Sequence, residues 1–181
     1  MIRWIVANTI AWPLGLFLAI ILSHLVVNIF HPEKTNLIVG QCVAFSIGFA
    51  QWQVLKTLMK ISILWFIVPA IGIGLPYGWF IMQVEAGNDL PFLLNTEGVF
   101  LAMLFFICGA IVGLIQSQLI SINRSKSYLW ILLSGIAWSI SITLTNFLFS
   151  GLIIGLVTLA AFILTLKELN IKIIDHERKL D

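Results

Sequence analysis

Six apolar runs separated by short polar turns leave this chain little choice of fold. They are Trp4 to Phe30, Leu37 to Leu55, Ile61 to Met82, Val99 to Ile122, Tyr128 to about Thr145, and a last run from Gly151 to near Leu166. A helix that crosses a bilayer needs about 20 predominantly apolar residues, and the runs are close to that length. Only 10% of the 181 residues are charged, against about 25% in an average soluble domain. The mean hydropathy of +1.07 points the same way, and little chain is left for a soluble domain. Inside a bilayer every backbone polar group must find its partner within the protein, which restricts long apolar runs to helices. The expectation is an all-α integral membrane protein with six transmembrane helices and a single transmembrane domain over 1–181. The first run is too long for the apolar core of a cleavable signal peptide, and no small-x-small site precedes polar sequence, so it is expected to be a span.

The charges orient the chain. Arg3, Lys56, Lys60, Arg124, Lys126, Lys167, Lys172, Arg178 and Lys179 fall on one side of a six-span topology, and Lys34 alone falls on the other. Basic residues concentrate on the cytoplasmic side, so both termini are expected there, N-in and C-in. A five-span topology would put the C-terminal basic cluster outside. Residues 167–181 read as a short charged cytosolic tail. Its Glu168/Lys172 and Asp175/Lys179 pairs, four residues apart, support a helical extension. The connection from Val84 to Gly98 holds Glu85, Asp89 and Glu97 with no basic residue, and its Leu90 to Leu94 suits a short interfacial helix. Pro13 is expected to kink the first span without ending it, and the third span contains Pro69 and Pro76.

A long stretch occurs twice. Gly48 to Gly74 begins G-F-A-Q-W-Q-V-L-K, and it matches Gly113 to Ser139 without a gap. Gly48, Gln51, Gln53 and Trp65 fall on Gly113, Gln116, Gln118 and Trp130. Trp4 opens the first run as Trp65 and Trp130 open the third and fifth, and on that alignment Trp12 matches Trp138. Ala44/Gly48, Gly109/Gly113 and Gly151/Gly155 are small-xxx-small pairs, and Thr158 takes the glutamine's place in the last copy. The chain therefore reads as three tandem helical hairpins, about 4–56, 61–123 and 128–167, all of one topology. Internal symmetry of this kind is common in membrane folds, and its simplest packing is a pseudo-threefold ring about the membrane normal.

The repeated residues suit helix packing. Lipid chains are as apolar as leucine, so helices in a bilayer associate through close backbone approach and hydrogen bonds. Gly48, Gly113 and Gly155 supply the approach. Gln51, Gln116 and Thr158 lie on the same helix faces, about 8 Å along the axis from the basic turn at 1.5 Å per residue. The two glutamines are expected to hydrogen-bond across helices, to an indole N–H or to a carbonyl freed near Pro13 or Pro69. Gln53 and Gln118 lie two residues on and point elsewhere, so neither pair lines one cavity. Trp4, Trp65 and Trp130 sit where an aromatic belt is expected, with Trp12 and Trp138 deeper. Asn8, Asn28, Gln41 and Asn146 read as helix-end or interhelix hydrogen-bonders.

His24 is the ionisable side chain well inside a span, which makes it the ligand or proton candidate. It shares a helix face with His31. A hydrogen-bonded role near the outer interface competes with haem or pigment ligation, for which one helix cannot supply both axial ligands. Cys42 and Cys108 lie inside apolar runs and read as small buried residues. No metal-ligand spacing, H-E-x-x-H or G-x-S-x-G occurs, so no enzymatic site, no metal and no cofactor are expected. The short basic turns suit anionic lipid headgroups and carry no nucleic-acid footprint.

Through Gly48, Gln51, Trp52, Leu55 and Lys56 the chain resembles small bacterial polytopic membrane proteins with repeated G-x-x-Q-W-x-x-L-[KR] units. The second copy departs from the unit, with Ser117 in place of the tryptophan and Ser121 in place of the basic residue. The resemblance implies a bacterial inner membrane, or an internal photosynthetic one, and brings no catalytic residues. In span number and length the chain is also similar to the substrate-binding subunits of vitamin-uptake transporters, although the tandem hairpin repeat argues against that kinship. Three functions follow as expectations. The first is a structural or accessory subunit that packs with other membrane proteins, or with itself, through outward glycine and aromatic faces. The second is a small-molecule or ion transporter or ligand-binding protein with a cavity at the repeat axis, and the weakest is pigment or haem binding at His24.

Overall fold

The computed structural model describes residues 2–26, 35–85, 96–120, 124–143 and 150–177. Its helices are α1 (Ile2–Val26), α2 (Thr35–Leu55), α3 (Leu64–Gly72), α4 (Gly74–Glu85), α5 (Thr96–Leu119), α6 (Arg124–Thr143) and α7 (Ser150–Glu177). No strand occurs among the described residues. Ile2–Leu25, Leu37–Leu55, Leu64–Met82 and Val99–Leu119 are long and apolar enough to cross a membrane, while Ser127–Thr143 and Ser150–Leu164 are apolar but shorter. The helical extension expected of the tail is present as far as Glu177. His31, Lys34, Asn28, Asn146 and the expected interfacial helix from Leu90 to Leu94 lie outside the described residues.

The prolines behave differently from one another. α1 runs through Pro13 without interruption. The third apolar run, expected as one span from Ile61, becomes helical only at Leu64 and is divided at Ile73. Proline has no N–H to donate to the carbonyl four residues back, and its ring presses on that carbonyl. For Pro76 that carbonyl belongs to Gly72, the last residue of α3, which places the break where a proline kink is expected. The chain still crosses it with helical bonds. Ile73 N–H donates to the Pro69 carbonyl and Tyr77 N–H to the Ile73 carbonyl, both at 2.9 Å.

The helices follow one another around a closed ring. α1 packs on α2, α2 on α3 and α4, α3 on α5, α5 on α6, and α6 on α7; α7 then returns to α1. Side chains fill the interior in two clusters. One holds Trp4, Leu55, Trp65, Ile120, Trp130 and Leu159, at the end of the bundle that carries the turn from Lys56 to Lys60. The other holds Trp12, Ile47, Tyr77, Phe105, Val112, Trp138 and Ile154. The outer surface is built of large apolar side chains such as Ile10, Phe17, Phe100, Ile107 and Leu156. Apolar residues all round a helix are the mark of a segment meant for an apolar solvent.

Candidate functional site: the polar layer inside the bundle

The residues of the G-x-x-Q-W-x-x-L-K unit each meet a specific neighbour. Gly48 lets α2 close on α3, because a Cβ there would stand 2.9 Å from the Phe66 Cα. Gln51 is buried, 4% exposed, and its Nε2 donates to the Asn8 Oδ1 at 2.8 Å. Trp52 packs edge-on against Phe66 at 5.5 Å, and its indole N–H reaches the Ile61 carbonyl at 3.5 Å, across the turn. Leu55 is fully buried, and the Lys56 ammonium lies over the Trp52 ring, 4.5 Å from its centroid. The unit is thus a device for ending α2, turning the chain and seating α3.

The same seat recurs at two other places. A Cβ at Gly113 would stand 3.1 Å from the Ile131 Cα, and one at Gly155 would stand 3.3 Å from the Ile5 Cα. Phe66, Ile131 and Ile5 each follow an aligned tryptophan, so α2 meets α3, α5 meets α6 and α7 meets α1 at corresponding residues. Gly109 and Gly151 extend the match, for they face Trp138 and Trp12. The expectation of outward glycine faces is corrected here. These glycines face neighbouring helices of their own chain, where backbone approach needs a residue without a Cβ.

Gln116 is buried, 3% exposed. Its Nε2 donates to the Trp65 carbonyl at 3.4 Å, the long end of the range for such a bond. In an uninterrupted helix that carbonyl would accept from the backbone N–H of residue 69, which here is proline and has none. One expected partner, a carbonyl freed by Pro69, is therefore the one observed. Gln51 reaches the matching place on α1 through a relay: Asn8 accepts from Gln51 and donates its own Nδ2 to the Trp4 carbonyl at 2.8 Å. Thr158 takes a third route. Its hydroxyl accepts the Trp4 indole N–H at 3.0 Å and donates to the Ile154 carbonyl. Gln53 is half-buried and Gln118 exposed, so neither belongs to this layer.

Trp4, Trp65 and Trp130 are 2%, 0% and 1% exposed. That corrects the aromatic-belt expectation, since belt residues face the lipid boundary and these face the interior. The Trp65 and Trp130 rings meet at 5.7 Å. The indole N–H groups of Trp12, Trp65 and Trp130 are buried without a hydrogen-bond partner, whereas the Trp4 indole has Thr158. His24 is exposed, near the end of α1. No group of three or more His, Cys, Asp or Glu able to hold a metal occurs among the described residues.

Two features escaped sequence reasoning. Ser141 and Ser150 bind each other's backbone, with hydroxyl-to-carbonyl distances of 3.2 and 2.8 Å, and so join α6 to α7. Paired serines beside a short connection were the available signal. Trp12, Tyr77, Phe80 and Phe105 form a chain of ring contacts at 5.9 to 6.4 Å. Among so many apolar residues nothing marked these four as neighbours. Set against family models, curated proteins and solved structures, the chain finds no match.

Proposed function

We propose that this chain is a non-enzymatic, six-span protein of a bacterial inner membrane, with both termini cytoplasmic. Three tandem hairpins would stand in a pseudo-threefold ring and serve as a structural or accessory subunit beside other membrane proteins. The observation that carries this reading is the filled interior. Ile47, Val112 and Ile154 occupy matching positions and are all fully buried, as are Trp4, Trp65 and Trp130 one layer away. The polar side chains between those layers are engaged with neighbouring helices. The corresponding glycine seats, including that of α7 on α1, support the threefold arrangement. The aromatic ridge of Phe45, Phe49 and Trp52 on α2 supplies the outward contact face.

Purification in a mild detergent, followed by mass spectrometry of what accompanies the protein, tests the proposal. It expects one or more membrane proteins in fixed ratio, or further copies of the chain. A lone protomer carrying a small molecule would contradict it. That outcome would favour transport or ligand binding, a reading supported by the interruption at Ile73, because transporter sites commonly form at discontinuous helices. Pigment or haem binding at His24 would place the group on the outer face of α1, and an absorbance spectrum of the same preparation checks it.

A further inference from the structure

We propose that the polar layer binds two internal water molecules, one bridging the Trp65 indole N–H to the Gln51 amide oxygen and the other bridging Trp130 to Gln116. The layer holds two donors and two acceptors that do not meet. The Trp65 and Trp130 indole N–H groups are buried without a partner, although their rings touch at 5.7 Å. Gln51 and Gln116 each donate one bond through Nε2, to the Asn8 Oδ1 and to the Trp65 carbonyl. Among the described residues nothing donates to either amide oxygen. Buried polar groups are almost always hydrogen-bonded, and one without a protein partner points to a bound water or ion. The third such indole, Trp12, belongs to the other interior cluster.

The seat of α7 on α1 shows which donor faces which acceptor. There Gly155 stands against Ile5, Thr158 follows the glycine by three residues on the same helix face, and its hydroxyl accepts the Trp4 indole N–H at 3.0 Å. Gly48 stands against Phe66 and Gly113 against Ile131 in the same way, so Gln51 faces Trp65 and Gln116 faces Trp130. Threonine carries its oxygen on Cβ, beside the indole. Glutamine carries its amide two carbons beyond Cβ, and there Nε2 is committed to the next helix round the ring, at Asn8 of α1 for Gln51 and at Trp65 of α3 for Gln116. With the amide fixed by that bond, its oxygen does not reach the indole directly, and a third group must link them. The link has to accept from an N–H and donate to a C=O, and water does both. An anion only accepts and a metal cation does not accept. Either would be buried without a counter-charge, at a high cost, since the surrounding cluster is Trp4, Leu55, Ile120 and Leu159. Two protein partners fall within the roughly two to four typical of a buried water. The cluster includes Met59 and Ile61, beside the turn at the end of the bundle, so an entering water has little protein to cross. The waters belong to the layer under either reading of the function.

A crystal structure grown from a lipidic mesophase, at a resolution that shows ordered water, tests the bridges. The expected result is one water within hydrogen-bond distance of Trp65 Nε1 and Gln51 Oε1, a second at Trp130 Nε1 and Gln116 Oε1, and none at Trp4, whose bond to Thr158 is direct. Indoles bonded straight to their glutamines, indoles facing apolar atoms alone, or a larger molecule in the layer would each overturn the proposal. Gln116→Thr recreates the arrangement of α7, so Trp130 should bond the new hydroxyl directly and lose its water while Trp65 keeps its own. A water retained at Trp130 in that variant would contradict the bridge to Gln116. Should Gln116→Thr fail to fold, Gln116→Met removes the acceptor at similar length with the same loss expected, and the structure of the parent protein decides on its own.

Discussion

Gln51 and Gln116 fall at the same position when Gly48 to Gly74 is aligned with Gly113 to Ser139, yet they bond neighbouring helices by different chemistry. Gln51 bonds a side chain, Asn8, which bonds the Trp4 carbonyl. Gln116 bonds the Trp65 carbonyl directly, because Pro69 stands where Asn8 stands in the first copy. The difference teaches what the position is for. It delivers a donor to one turn of the neighbouring helix, and the residue already at that turn decides whether the donor meets a side chain or bare backbone. Where the turn contains proline, the glutamine compensates for a missing backbone bond. Where it contains asparagine, the glutamine completes a polar pair.

That contrast can be broken at several points. The largest effect is expected from the seat both copies share. Gly113→Leu drives a side chain into Ile131 and Ser134 of α6, and overpacking of this kind costs about 1–3 kcal/mol or more. A folded fraction in detergent equal to that of the parent would refute the seat. Gln116→Leu comes next, since it strands a backbone carbonyl that cannot turn away. Buried groups left unpaired cost about 1–3 kcal/mol, although measured interhelical bonds in membranes average nearer 0.6. Gln51→Leu should cost less than Gln116→Leu, because Asn8 can rotate, and Asn8→Ala in the same chain should recover part of the loss. Thermal unfolding of the three variants side by side ranks them. Thr158→Val removes the acceptor of the Trp4 indole, and a loss of about 0.5–1.5 kcal/mol is expected for one neutral hydrogen bond. Lys56→Ala should change stability least, within about 0.5–1 kcal/mol for an exposed cation on a ring.

Much of this layer was legible in the sequence. The spacing of Gly48, Gln51 and Trp65 against Gly113, Gln116 and Trp130 put the right residues on the contact faces, and Pro69 named the carbonyl that Gln116 bonds. What failed was the sense of in and out. A soluble helix separates its faces by polarity, but a helix between lipid and an apolar core shows apolar residues on both. Trp4, Trp65 and Trp130 therefore read equally well as a lipid-boundary belt or as an interior layer, and only the packing decided for the interior. Pro13 and Pro76 illustrate a second limit: each lacks an N–H, yet α1 continues through one and the third span breaks ahead of the other. Among the described helices α1 packs on both α2 and α7, whereas the segment after Ile73 packs mainly on α2.

The claim that the buried glutamines hold helices together is tested most directly by a double-mutant cycle on Gln116 and Pro69, read as unfolding in detergent. Pro69→Ala restores an N–H beside the Trp65 carbonyl, so Gln116→Leu should be distinctly less damaging in that background than in the parent chain. If Gln116→Leu costs the same in both, or nothing in either, the glutamine is not compensating for the proline and the structural account of this layer is wrong.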